Sequence, residues 1–261
     1  MKPNPKTKHR AADLPFTMPG ALLNVDANAK TVKGQSSGYL TGILYLAPAN
    51  LAGVGNLCPN ASAGCLSACL FTAGFAGIYE TVNNARVMRT RLLHDQKTVF
   101  LAMLAGEIKA VIRRAEKLGL KPAIRLNGTS DLPWENLAPE LFKTFSDVQF
   151  YDYTKSFKRA LAYAKGELPK NYHLTFSLAE NNATLANLAL DAGVNVAAVV
   201  SGLKSKTIVL PTSTVERKVF DADRHDLRFT DRVGLDGRGR VGILTAKGKA
   251  KRDVSGFVLK F

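Results

Sequence analysis

Short apolar runs alternate with helical stretches along most of this chain, and that alternation constrains its fold more than any other feature. Five runs stand out: Tyr39–Leu46, Ala123–Leu126, Val148–Tyr151, Tyr172–Ser177 and Val194–Val200. They are too apolar for a strand with one wet face and suit strands buried on both faces. Between them, Lys97–Leu118 places Phe100, Leu101, Leu104, Ile108, Val111 and Ile112 at helical spacing and closes on Gly119. Helices are also expected over 79–94, after Pro133-Trp134-Glu135, over 157–165 and over 183–192, the last closed by Gly193. Val219–Asp231 and Val241–Ala246 read as weaker strands, and 31–38 as a polar approach to the first strong strand. Such a pattern predicts an α/β protein: mostly parallel strands wrapped by helices, as a partial or open (β/α) barrel. Residues 21–261 read as one α/β domain. Residues 1–20, with Lys2, Lys6, Lys8, Arg10 and four prolines, read as a flexible basic arm.

The cysteines fall directly after the first core strand. Cys58, Cys65 and Cys69 are the only three in the chain, and the residues between them include Pro59, Asn60, Ser62, Gly64 and Ser67. A small, turn-prone loop of this kind folds round a ligand and offers it backbone N–H groups. Three thiolates in one loop suit a metal or an iron–sulfur cluster. The plainer reading makes each a small buried hydrophobe. An odd count in a single loop argues against a secreted disulfide framework and for a reducing, cytoplasmic setting.

In parallel α/β folds the site forms at the C-terminal ends of the strands. Here those ends are polar. Asn127, Gly128, Thr129, Ser130 and Asp131 follow the second strong strand. Asp152, Tyr153, Thr154 and Lys155 end the third, and Ser177, Glu180, Asn181 and Asn182 end the fourth. Each segment alone also suits turn chemistry, and Ser130 or Asp131 could simply cap the next helix. Together with the cysteine loop they define one candidate mouth.

Lys and Arg number 36 against 21 Asp and Glu, a formal net charge of +15, which points to a polyanionic partner, most simply nucleic acid. A solvated basic face is the bland alternative. A 46% hydrophobic content suits a globular fold rather than disorder. No apolar run approaches the roughly 18 residues of a membrane span, and the N-terminus lacks a signal-peptide core. Asp221–Asp226, with Asp231 beyond, offers carboxylates for Mg²⁺ but reads more simply as an acidic turn. His173 reads as a core histidine, and neither His9 nor His94 stands at ligand spacing from the cysteines. Gly234, Gly237 and Gly239 with Arg238 and Arg240 suit a Gly-rich hairpin better than a phosphate cradle. No Walker A motif, dinucleotide fingerprint or serine nucleophile elbow is present.

A three-cysteine loop after the first strand of a (β/α) barrel resembles the radical S-adenosylmethionine superfamily. The segment Ser62–Cys69 looks like the cluster loop of phage-encoded proteins of that type. The wider string, from Gly38–Pro48 through Arg125–Asp131 to Phe150–Lys155, resembles an uncharacterised phage family, gene product 88, from about residue 24 onward. The first resemblance implies a [4Fe-4S] cluster on Cys58, Cys65 and Cys69, with one iron left for S-adenosylmethionine. Reductive cleavage of the sulfonium would then give a 5′-deoxyadenosyl radical that takes a substrate hydrogen. It also places Asn127–Asp131 at the amino group of that cofactor; Asp152, Lys155, Ser177, Glu180 and Asn182 would join them as cofactor-binding residues if the strand ends converge on one mouth. The usual superfamily spacing is C-x3-C-x2-C; here it is C-x6-C-x3-C, with Ala68 rather than an aromatic before Cys69. The departure bears more heavily on S-adenosylmethionine than on the cluster. The expected function is therefore an iron–sulfur enzyme of radical S-adenosylmethionine type, acting on nucleic acid or a nucleotide in the cytoplasm of an infected host. The alternative is a non-enzymatic nucleic-acid-binding protein with a structural zinc at the same cysteines.

Overall fold

A computed structural model describes residues 16–25, 29–69 and 78–261. The first fifteen residues, which hold most of the expected basic arm, lie outside the described residues, as does His9. The chain runs β1 (Leu23–Val25), α1 (Ala29–Gln35), β2 (Tyr39–Leu44), α2 (Ala63–Ser67), α3 (Glu80–Asp95) and α4 (Lys97–Lys117). It continues through β3 (Lys121–Arg125), α5 (Trp134–Leu137), α6 (Pro139–Thr144), β4 (Gln149–Thr154), α7 (Phe157–Ala164), β5 (Tyr172–Ser177) and α8 (Ala183–Asp191). The last elements are β6 (Val196–Ser201), β7 (Thr207–Val209), β8 (Glu216–Asp221), β9 (Val241–Thr245) and β10 (Leu259–Lys260).

The strands form one sheet in the order β1-β2-β3-β4-β5-β6-β9-β8-β7. Strands β2 to β6, then β9 and β8, are parallel; β1 and β7 are antiparallel on the two edges. Val200 pairs with Thr245 of β9 on one side and Leu259 of β10 on the other, so β10 continues the edge that β5 leaves. The path has two ends, so the sheet does not close. It is a mixed α/β architecture built on a mostly parallel sheet.

Helix α4 shows why the two layers hold together. Phe100, Leu104, Ile108, Val111 and Ala115 recur at three- and four-residue intervals and are all buried against Leu40, Leu44, Ile124 and Leu126. Each large side chain contributes about 1.5–3 kcal/mol by leaving water. Glu107 of the same helix accepts from the N–H groups of Leu22 and Leu23, both at 2.7 Å, and so fixes the approach to β1.

Side chains alternate between sheet faces. Tyr39, Ala123 and Tyr151 face away from α4 and pack on Leu227 and Phe229, in the segment after β8. Two sequence expectations need correction here. The weak strand expected over 219–231 ends at Asp221, because the chain then turns so that Asp226 can reach Arg125 at 2.9 Å and Tyr151 at 3.1 Å. The polar approach over 31–38 is largely α1, which lays Gly34 on Leu227.

Candidate ligand mouth at the strand ends

Parallel strands end on one side of a sheet, and here that side carries the cysteine segment. Cys58, Cys65 and Cys69 lie between β2 and α3, all half-buried. Cys58 sits over β2 and β3: its Sγ accepts from the Ala49 N–H at 3.5 Å and lies 3.7 Å from the Thr129 carbonyl. Burial pushes its thiol up to about 11, and Cys69, Cys65 and Asp131 push the same way. Cys65 and Cys69 therefore both stand within electrostatic reach of Cys58. Cys65 lies nearer β5, against Ala68, Ala179, Ala246 and Phe257.

Glu180 ties this segment to the sheet. It accepts from Ser62 Oγ at 2.6 Å and from the Gly64 N–H at 2.7 Å, while Ser62 Oγ accepts in turn from the Cys65 N–H at 3.1 Å. Burial alone would raise the Glu180 carboxyl, but these donors bring it below its ordinary value. The approach is close: a Cβ at Gly64 would stand 2.2 Å from Ser255 Oγ and 2.8 Å from the Glu180 carboxylate, so either side chain would have to move to admit one.

The loop after β3 is built from its own polar residues. Asn127 Oδ1 accepts from Ser130 Oγ, the Leu132 N–H and Trp134 Nε1, at 2.8, 2.9 and 3.2 Å. Its amide nitrogen donates to the Leu132 carbonyl and to Asp152, at 3.0 and 3.1 Å. Gly128 crosses β2 so tightly that a Cβ would meet the Leu44 carbonyl oxygen at 2.7 Å. Thr129 Oγ1 donates to the Leu46 carbonyl. Asp131 is no helix cap. It accepts from Arg159 Nη1 at 2.7 Å and from the Lys155 N–H at 2.8 Å.

Arg159 is the hub beneath. It also donates to Glu135 at 2.7 and 2.9 Å, to Thr154 Oγ1 and to Tyr172 OH. Tyr172 OH donates to Asp152 at 2.8 Å. Burial pushes the Asp152 carboxyl up to about 7 despite the donors on it from the Asn127 N–H and Tyr172.

Of the residues proposed from sequence, the structure brings Cys58, Thr129, Lys155, Ser177, Glu180 and the cysteine loop to one end of the sheet. Lys155 Nζ donates to Ser177 Oγ at 2.9 Å and lies 5.7 Å from the Phe257 ring centre. Asn127, Ser130, Asp131, Asp152 and Asn182 are committed inside the chain; Asn182 accepts from the Ala179 N–H and donates to the Ser177 carbonyl. His173 is a core histidine whose Nδ1 meets Tyr163 OH at 2.6 Å, and burial lowers its pKa to about 4. Asp223 and Asp226 of the acidic turn pair with Lys247 and Arg125. Among the described residues, no three Cys, His, Asp or Glu side chains converge on a point where a metal ion would sit. Sequence reasoning missed Arg159, which has no spacing signal and is recognised only by what surrounds it in the fold.

The described residues form an open, mostly parallel α/β protein with its three cysteines between β2 and α3. The gene product 88 family model matches residues 21–260, and the chain belongs to that phage-type family. No curated protein and no solved structure matches the chain. Among the described residues, no helix is long and apolar enough to cross a membrane.

Proposed function

We propose that the mouth holds an iron–sulfur cluster on Cys58, Cys65 and Cys69, and that the protein is an enzyme of radical S-adenosylmethionine type. Its substrate would be a nucleic acid or nucleotide, met in the cytoplasm of the infected cell. One observation carries this reading: the three cysteines lie half-buried in one short segment after β2, with the Cys58 thiol against the Ala49 N–H and the Thr129 carbonyl at the ends of β2 and β3. The donor types fit, because iron in such clusters takes thiolates. They fit zinc less well, since a closed structural zinc site takes four protein ligands. The acid within electrostatic reach of Cys58, Asp131, has both oxygens engaged by Arg159 and Lys155. When bound, a cluster with one iron free of protein supplies an electron and an open coordination position.

The chain's own residues do the rest. Glu180 holds the cysteine segment against β5, and the Asn127 loop fixes Thr129 beneath Cys58. Lys155 and Ser177 present a cation and a hydroxyl at the same end. The net charge of +15 favours a polyanionic substrate held through its phosphates, whose affinity falls with salt. Calorimetric titration of S-adenosylmethionine into the anaerobically reconstituted full chain tests the reading. Saturable binding that disappears in Cys65→Ala is the expected result. An iron-loaded wild type that binds none removes the radical mechanism, and a colourless protein with one zinc per chain supports the structural-zinc alternative.

A further inference from the structure

Arg86, on α3, is buried at 7% exposure, and its Nε and Nη1 have no hydrogen-bond partner among the described residues. No described carboxylate pairs with it. Its Cζ lies 5.2 Å from the centre of the Tyr45 ring, just past the C-terminal end of β2, and it stands within electrostatic reach of the Cys69 thiol. A buried cation without a counter-ion is costly, because the lost hydration is not replaced. Two other buried arginines, Arg159 and Arg125, each face acids, Asp131 and Glu135 for the first and Asp226 for the second, and Arg89, one turn along α3, donates to the Ala21 carbonyl and Asn24. The ring face of Tyr45 orients the Arg86 head but satisfies none of its N–H donors.

We propose that Arg86 is the anion-recognition residue of the mouth, and that the ligand bound beside Cys69 carries an oxyanion, a phosphate or a carboxylate. A planar guanidinium with free N–H groups matches such oxygens, and the surrounding burial strengthens the contact by excluding water. Tyr45 and Arg86 belong to different elements, one after β2 and one on α3, so the fold itself fixes the guanidinium at the strand ends. The assignment deepens the reading of this end as a ligand mouth and does not depend on what metal the cysteines hold.

The test uses the full-length chain as purified, with inorganic phosphate and acetate as separate probes at constant ionic strength, followed by calorimetry and thermal melting. Wild type should bind one or both saturably and melt higher in its presence; phosphate alone identifies a phosphoryl ligand and acetate alone a carboxylate. Arg86→Gln should bind at least tenfold more weakly, while its probe-free melting temperature stays at or above that of wild type, because an unpaired buried charge has been removed. Lys204→Gln, which removes an exposed charge elsewhere, should bind like wild type. Equal binding by Arg86→Gln and wild type, or no saturable binding of either anion by wild type, overturns the proposal. So does an Arg86→Gln chain that fails to fold or loses its metal, since either result makes Arg86 a structural cation or the counter-ion of the cysteines. Metal content measured on the same samples separates that failure from failure of the cluster reading.

Discussion

Replacing Arg159 with Met tests how the mouth is supported from below. The guanidinium, 8% exposed, faces carboxylates on Asp131 and Glu135 that are 12% and 6% exposed. Met keeps much of the aliphatic stem but leaves two neighbouring buried carboxylates without their cation. Removing one partner of a buried pair costs about 3–5 kcal/mol. That is a large share of a total stability of about 5–15 kcal/mol. At about 2–4 °C per kcal/mol for a chain of this size, the melting temperature should fall by roughly 6–20 °C. Thermal melting followed by far-ultraviolet circular dichroism at neutral pH gives the value. Replacing Asp131 with Asn and Glu135 with Gln in the same chain should restore much of the loss, because the stranded charges are gone. A single Arg159→Met variant that melts within about 2 °C of wild type would refute the hub.

Asp152 carries a pH dependence whose sign follows from its raised pKa. Its folded value of about 7 lies above the ordinary 3.8, so its contribution to stability is full below about pH 4 and is lost as pH rises through 7. Asp152→Asn should therefore gain on wild type across that window by up to about 1.4 kcal/mol per pH unit, read from melting temperatures; a constant gap between the two would contradict the assignment. Glu180→Ala should free the cysteine segment. Losing a charge-assisted bond costs about 1.5–3 kcal/mol, so Cys65 should alkylate at least tenfold faster by mass spectrometry; an unchanged rate would show that the tie holds nothing in place.

Much of this fold was legible because its strongest elements are also its most apolar. The expected runs at Tyr39, Ala123, Val148, Tyr172 and Val194 correspond to β2 through β6, and the spacing of Phe100 to Val111 marks the buried face of α4. Elements with weak local signals were hidden. Helix α1, Ala-Lys-Thr-Val-Lys-Gly-Gln, has no apolar stripe, and β7 and β10 span three and two residues. The site divides the same way. A polar residue after a strand has the same sequence signature whether it faces a ligand or a neighbouring backbone, so Asn127 and Asp152 read as ligand contacts although their partners lie within the chain. Arg159 finds Glu135 and Asp131 across 24 and 28 residues, a pairing set by β3 and β4 lying side by side and not by any local pattern. Ser255 reaches Gly64 only because the C-terminal segment folds back over β5 and β6, which no local signal announces.

The central claim is that the three cysteines hold a cluster. The most direct measurement is the iron, sulfide and zinc content of the anaerobically purified full chain beside Cys65→Ala, together with the visible spectrum. The account predicts a brown wild type with about four irons and four sulfides per chain, and a colourless Cys65→Ala that keeps its circular-dichroism spectrum. A colourless wild type with neither iron nor sulfide, or a Cys65→Ala variant that keeps its full complement, would contradict it.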